Sequence, residues 1–231
     1  MTSPTRPSKE DVLTAFRRSA LLESARRVFG ECGFERATME RIAHEAGVAK
    51  GTIYLYYSSK QRMYDEALNE GLAELDGMTR VRVEQAPTLR DAIAAFISAR
   101  TDYFLERREF FRMYVAAVAG HITERHGRPS EFRSLITKQT RRLEARIARG
   151  MDAGEIRDVD PAATARAIFD LTRGLVARKL FLGRGAAETA HPDEAEFLTT
   201  LIWDGLGPDR RPGTPRTAAA TRKKTMTKRQ R

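Results

Sequence analysis

The chain carries one cysteine, one tryptophan and four histidines in 231 residues, and its longest apolar stretches, such as Val115 to Ala119, fall far short of the roughly 20 residues needed to cross a bilayer. Each shortage excludes something. A lone Cys32 can close no intrachain disulfide and build no cysteine-based zinc cluster; it reads better as an inert small residue than as a redox switch. His44, His121, His126 and His191 are scattered without HExxH spacing, so no protein metal site is expected. There is no Walker loop, no dinucleotide glycine fingerprint and no G-x-S-x-G elbow, so neither an enzyme nor a cofactor is expected. The opening MTSPTRPSKED has no apolar signal-peptide core, which makes a cytoplasmic location and the absence of a membrane partner the expectation. Alternating β-branched runs and Asn-Gly or Asp-Gly hairpins are missing as well, and no internal repeat is found.

What remains is a chain with 41% hydrophobic and 31% charged residues, rich enough in apolar side chains to bury a substantial core. Its formal charge of +10 is unevenly placed. Residues 207–231 hold nine Lys/Arg and one Asp, residues 1–60 hold ten basic and seven acidic residues, and residues 61–206 are nearly balanced at 22 and 23. The high pI therefore belongs mostly to the C-terminal segment. That segment is polar, without a helical stripe, and is expected to be a disordered basic tail.

Helical signals fill the rest, so the predicted fold class is all-α. Leu21, Leu22, Ala25, Val28 and Phe29 fall at helical spacing, and Gly33 closes that segment. Thr38 can cap a helix carrying Met39, Ile42, Ala43 and Ala46, which stops at Gly47. A short third helix runs from about Ala49 to Tyr57. Ser58 and Ser59 offer a cap for a fourth, with Met63, Tyr64, Ala67, Leu68, Gly71, Leu72 and Leu75. Pro87, Pro129 with Ser130, Asp160 with Pro161, and His191 with Pro192 punctuate at least four more.

Chemistry concentrates between Thr38 and Lys60. A helix of about nine residues, a turn at Ala46-Gly47-Val48 and a second short helix have the proportions of a helix-turn-helix. On the second helix, 100° per residue puts Ile53 and Tyr57 on an inward face, Gly51, Thr52 and Leu55 on the outward one, and Tyr54 and Tyr56 on its flanks. An outward glycine lets backbone approach a phosphate or base edge, a hydroxyl can bond either, and leucine can meet a thymine methyl. Lys50 and Lys60 bracket the helix as phosphate-neutralising charges. A purely structural three-helix unit is the bland alternative, but a solvated face has no reason to gather glycine, leucine and tyrosines between two lysines.

From Leu21-Leu22-Glu23-Ser24-Ala25 through Val28-Phe29, Gly33-Phe34, Thr38, Ile42-Ala43, Ala46-Gly47-Val48 and Lys50-Gly51-Thr52-Ile53-Tyr54 to Tyr57 and Ser59-Lys60, the chain closely resembles the N-terminal domain of TetR-family regulators. The match spans about residues 15–65 without gaps. The resemblance implies a three-helix DNA-binding domain, a larger helical domain for ligand binding and dimerisation, and release of DNA on binding a small molecule. It implies a phosphate contact for Thr38, a recognition surface from Lys50 through Tyr56, and a phosphate contact for Lys60. Tyr56 departs from the family, where histidine is frequent at that position, leaving base and phosphate both open as its partner.

The expected organisation is a flexible arm over residues 1–14, a helix-turn-helix domain over 15–60, an effector-binding and dimerisation domain over 61–206, and the tail over 207–231. Ile168, Leu171, Leu175, Val176 and Leu182 form one broad apolar face near the end of that third segment. Phe197, Leu198, Leu201, Ile202 and Leu206 form another. The resemblance implies that these two helices pair with their copies; the alternative is packing within the monomer. A two-fold homodimer sets its recognition helices about 34 Å apart, so the operator is expected to be an inverted repeat in double-stranded DNA.

For the effector, Arg100 falls inside the stripe of Leu89, Ile93, Phe96, Ile97 and Phe104; His121 shares a face with Phe110, Tyr114 and Ala117; Gln139 shares one with Phe132, Leu135, Ile136 and Leu143. Phe96, Arg100, Phe104, Tyr114, His121 and Gln139 are the candidate pocket residues. Each polar member also has an ordinary reading, as an internal ion pair, a core histidine or a core amide. An open pocket at Arg100 would favour an anionic effector; otherwise an apolar aromatic ligand fits equally well. The expected function is a ligand-released, dimeric transcriptional repressor. Its competitors are an effector-independent architectural DNA-binding protein relying on the tail, and an enzyme reusing the helical domain.

Overall fold

The computed structural model describes residues 8–122, 130–181 and 193–207, and among them there are nine helices and no strand. They are α1 (Lys9–Arg36), α2 (Met39–Glu45), α3 (Lys50–Tyr56), α4 (Lys60–Glu84), α5 (Leu89–Glu106), α6 (Arg108–Ile122), α7 (Ser130–Asp152), α8 (Pro161–Phe181) and α9 (Glu194–Leu206). The expected tail beyond Gly207, and Leu182 of the first apolar face, lie outside the described residues.

The starts of these helices follow local chemistry. Thr38, Ser59, Thr88 and Asp193 each accept a hydrogen bond from a backbone N–H three residues on, satisfying a donor the helix itself cannot. Pro161 opens α8, with Asp160 Oδ1 accepting from Ala163 N at 3.0 Å. At Gly33 (φ 78°) and Gly47 (φ 66°) the backbone is left-handed, which an L side chain would resist; the first breaks the end of α1 and the second makes the turn between α2 and α3.

One expectation changes. Residues 9–14 are not a loose arm but the opening of α1, where no glycine or proline interrupts. Between α5 and α6 the chain breaks at Arg107 (φ −120°, ψ 63°) without either residue to mark it. Arg107 N still donates to Tyr103 O at 3.1 Å, and its guanidinium lies 4.4 Å from the Tyr103 ring centroid. The break turns α6 back across α1.

Two clusters of buried side chains hold the helices. The first joins α1 through α6 and reaches Phe132 of α7 and Val176 of α8, with Phe29, Phe34 and Tyr64 in mutual edge or stacked contact at 5.0–6.0 Å and Tyr103, Phe104, Phe110, Phe111 and Tyr114 continuing it inward. It crosses residue 60, so the boundary placed there in the sequence is no gap in packing. The second gathers Leu89, Ile93, Phe96 and Ile97 of α5 against Leu143 and Ile147 of α7, Ile168 and Phe169 of α8, and Leu198 and Leu206 of α9.

Candidate nucleic-acid interface and buried cavities

α2 and α3 present a short helix on a rigid base. Met39, Ile42 and Ala43 are buried on α2, and the turn is closed by Gly47 N donating to His44 O (3.1 Å) and Val48 N to Ala43 O (2.9 Å). On α3, Ile53 and the following Tyr57 are fully buried. The Tyr57 ring has the Arg18 guanidinium 5.6 Å from its centroid, and desolvation pushes the phenol up to about 12. With that side anchored, Gly51, Tyr54 and Leu55 are exposed, Leu55 at 82%, and Thr52 and Tyr56 are half-buried at the edges. Leu55 therefore presents its apolar side chain to the outside of the monomer.

Thr38 is exposed and accepts from Arg41 N at 3.1 Å, so its hydroxyl sits at the N-terminal end of α2. Lys50 pairs with Glu40 across the turn, an exposed pair that an incoming phosphate can replace. Lys60 behaves otherwise. Its Nζ donates to the carbonyls of Phe34 (2.8 Å), Ala37 (3.0 Å) and Glu35 (3.3 Å) and lies 4.4 Å from the Phe34 ring centroid. All three ammonium protons are thus committed to the C-terminal end of α1, where carbonyls lack helical partners. The expected phosphate contact at Lys60 gives way to a helix-closing role.

A second feature joins α1 to the rest. Arg26, with 6% of its side chain exposed, donates to Glu70 Oε2 (2.6 Å), Glu74 Oε1 (3.4 Å), Glu23 Oε2 (3.3 Å) and the Ala67 carbonyl (3.1 Å). Tyr103 of α5 closes the array, its single hydroxyl proton shared between Glu74 Oε2 and Gly71 O, both at 2.9 Å. Burial raises the Glu70 carboxyl pKa, Arg26 opposes that rise, and Glu74 adds to it. Arg26 shares its helical stripe with Leu22 and Phe29, a charge on an apolar face as Arg100 is, so helical phase alone was a signal of its burial.

The predicted pocket residues do not share one cavity. Phe96 and Gln139 line a cavity of about 490 Å³ between α4, α5 and α7, rimmed by Arg80, Arg142 and Arg149. Tyr114 lines another, of about 400 Å³, between α6, α7 and α8. Arg100 is 1% exposed and donates from Nη1 to Gln139 Oε1 at 2.7 Å, so two of the predicted polar groups bond to each other. Gln139 Nε2 in turn donates to Leu72 O of α4 at 3.4 Å. Phe104 sits in the aromatic stack of the first cluster and lines neither cavity. The side chain of His121 lies outside the described residues.

The apolar faces of α8 and α9 divide. Ile168 and Leu198, expected at the dimer interface, turn inward into the second cluster, at 1% and 9% exposure. Each face is wide enough that its inner edge packs on α5 while its outer edge does not. Leu171, Phe181, Phe197 and Leu201 remain about half exposed, with Leu175 and Ile202 between the two sets. Leu171 and Phe181 of α8 and Phe197 and Leu201 of α9 are thus large apolar side chains that the monomer leaves partly uncovered.

Comparison with known proteins agrees with this geometry. Residues 21–67 match the family model described as bacterial regulatory proteins, tetR family. Residues 86–192 match that of a tetracyclin repressor-like C-terminal domain. An uncharacterized HTH-type transcriptional regulator, YfiR of Bacillus subtilis, is 27% identical over 80% of this chain and 92% of its own. Among solved structures, a TetR-family regulator from a Rhodococcus species superposes with a TM-score of 0.68 at 19% identity, covering 83% of this chain and 98% of that one. The ketosteroid transcriptional regulator KstR2 of Mycobacterium tuberculosis gives 0.65 at 23% identity, covering 84% and 96%. At these identities the superpositions speak for the fold alone.

Proposed function

The chain belongs to the TetR family of bacterial transcriptional regulators, and from that premise we propose that it is a dimeric repressor, released from an inverted-repeat operator when a small molecule enters its helical domain. The observation that carries this reading is α3, anchored through Ile53 and Tyr57 and holding Gly51, Tyr54 and Leu55 outward on the far side. In the major groove Thr52 and Tyr54 would hydrogen-bond base edges or phosphates, Leu55 would meet a thymine methyl, and the half-buried Tyr56 would reach the backbone at the rim. Thr38 and Lys50 would hold phosphates on either side. We assign no catalytic step, and we place the protein in the cytoplasm with its DNA.

Release follows from how α4 is held. Arg26 and its glutamates fasten α1 to α4, and the chain Arg100 to Gln139 to the Leu72 carbonyl ties α4 to the interior of the effector domain. A ligand that binds better when these ties are rearranged shifts the population toward a dimer whose recognition helices no longer match the operator spacing. The patch of Leu171, Phe181, Phe197 and Leu201 is the proposed two-fold contact.

The direct test is selection of bound duplexes from a random pool by the full chain at physiological salt. An inverted repeat is the expected result; recovery of no motif would favour the architectural alternative. On the selected site, Tyr54→Ala should weaken binding by about 1 kcal/mol or more with the dimer intact. Lys50→Ala should lower the slope of affinity against salt by about one phosphate contact, and unchanged binding in both variants would remove α3 as the recognition element. The segment 208–231 holds nine of the chain's basic residues, so its removal should flatten salt dependence while leaving the preferred sequence unchanged. Loss of sequence preference on truncation would instead make the tail the specificity element.

A further inference from the structure

Arg100 is an unusual charge. It stands on α5 among apolar neighbours, 1% exposed, and burial pushes its pKa down from a value so high that it still carries its proton. A buried guanidinium is ordinarily met by a carboxylate. Among the described residues no carboxylate is in salt-bridge contact with it: Nη1 has Gln139, Nε and Nη2 have no acceptor in hydrogen-bonding geometry, and Asp76, the acid whose charge reaches it, is paired with Arg142. What surrounds the cation instead is three phenyl faces, Phe169 at 4.3 Å, Phe96 at 5.4 Å and Phe104 at 5.6 Å from their centroids. Ring faces attract a cation, but they leave its N–H groups unbonded and its charge uncompensated.

A second orphan lies beside it. Tyr114 of α6 is fully buried, and its hydroxyl, approached by the guanidinium groups of Arg100 and Arg173, has no partner in good hydrogen-bonding geometry. Burial raises its pKa, and the charges of Arg100 and Arg173 are near enough to oppose that rise. Tyr114, Arg173 and Phe169 all line the cavity of about 400 Å³ between α6, α7 and α8, whose walls continue through Val118, Phe132 and Ile136. The acids on this cavity are Asp170, which pairs with Arg173 at 2.9 Å, and the half-buried Glu144; the exposed Arg141 and Arg166 complete its charged lining. With Asp76 held by Arg142, Arg100 is left buried without an anion in contact with it.

We propose that the inner end of this cavity receives the anionic head of the effector, and that the effector is an amphipathic monocarboxylate. The carboxylate accepts from the Tyr114 hydroxyl and from Arg173 at the wall and neutralises Arg100 immediately behind Phe169. The body lies along Phe132, Ile136 and Val118. One uncompensated charge fits a monoanion better than a phosphate ester, whose second charge would again be buried unpaired. This inference rests on reading the helical domain as the effector domain and adds the chemical class of what it senses.

The test compares straight-chain and phenyl-substituted carboxylic acids of about six to twelve carbons with their primary amides, matched in shape and lacking only the charge. Thermal melting and calorimetry of the full-length protein, without DNA, are the readouts. At least one acid should bind about tenfold more tightly than its amide. Tyr114→Phe should shrink that ratio several-fold, and Arg100→Met should abolish it while leaving the amide's binding in place. The unliganded Arg100→Met protein is relieved of a buried charge but loses the donor to Gln139 Oε1, so the ratio of acid to amide affinity, and not its melting temperature, decides the test. Should Arg100→Met not fold, Tyr114→Phe and Arg173→Gln carry the comparison. The proposal is overturned if no acid exceeds its amide, or if the preference survives these substitutions. An operator recovered by DNA selection together with no acid preference would remove this inference and leave the regulator intact, whereas an acid preference without an operator would do the reverse.

Discussion

Gly30→Ala should destabilise the protein by about 2 kcal/mol or more, although alanine is the better helix former by about 1 kcal/mol. The reason is the crossing of α1 and α6. A Cβ at Gly30 would stand 2.3 Å from the carbonyl oxygen of Glu109 and 2.6 Å from its Cα, and backbone cannot rotate aside as a side chain can. The two helices must move apart, and with them the Phe29, Phe34 and Tyr64 contacts that seat the first three helices on α4. Gly77 of α4 supplies the control, because a Cβ there meets nothing within 4 Å. Gly77→Ala should raise stability by about 0.5–1 kcal/mol. Urea unfolding of both variants measures the contrast; equal midpoints would mean that the close crossing at Gly30 is not a constraint in solution.

Arg26→Met should cost about 2 kcal/mol. Removing one partner of a buried ion pair costs about 3–5 kcal/mol, but Glu70 and Glu74 keep 36% and 41% of their side chains in solvent, which discounts the figure. Methionine fills the volume of the arginine stem, so what is lost is the charge, the bond to the Ala67 carbonyl and the guanidinium over the Phe110 ring at 5.7 Å. It also leaves Glu23, Glu70 and Glu74 facing one another. A double-mutant cycle with Glu70→Gln isolates the ion pair: the glutamine should cost less in the Arg26→Met background than alone, because it then relieves repulsion. Strict additivity would place the whole effect in packing. Since Arg26 fastens α1 to α4, the same variant should weaken the coupling between effector and operator affinity more than it weakens either binding step.

The readability of the first 60 residues has a physical origin. Caps, turns and short amphipathic helices are written in neighbouring residues, so Thr38, Ser59, Gly33 and Gly47 announced their roles, and Ile53 and Tyr57 were correctly turned inward by helical phase alone. Phase also found Arg100 and Gln139 as polar groups on apolar faces. It could not reveal that they bond to each other, because they are 39 residues apart and meet through the packing of α5 on α7.

Lys60 is the sharpest case. Its position beside the recognition helix made it a natural phosphate ligand, yet three carbonyls at the end of α1 take its protons first. Ile168 and Leu198 fail as interface residues for a related reason: an apolar stripe says that a face is buried, not whether the neighbouring helix or a second subunit buries it. The break at Arg107 had no glycine or proline to declare it. By itself, then, the sequence determined the helical class, the helix-turn-helix and the outward residues of α3, all of which depend on contacts a few residues long. Only the tertiary structure decided which charges are spent on the fold, which edge of each apolar face stays open, and that Arg100 is buried with no acid in salt-bridge contact, because each of these depends on which helices come to lie against one another.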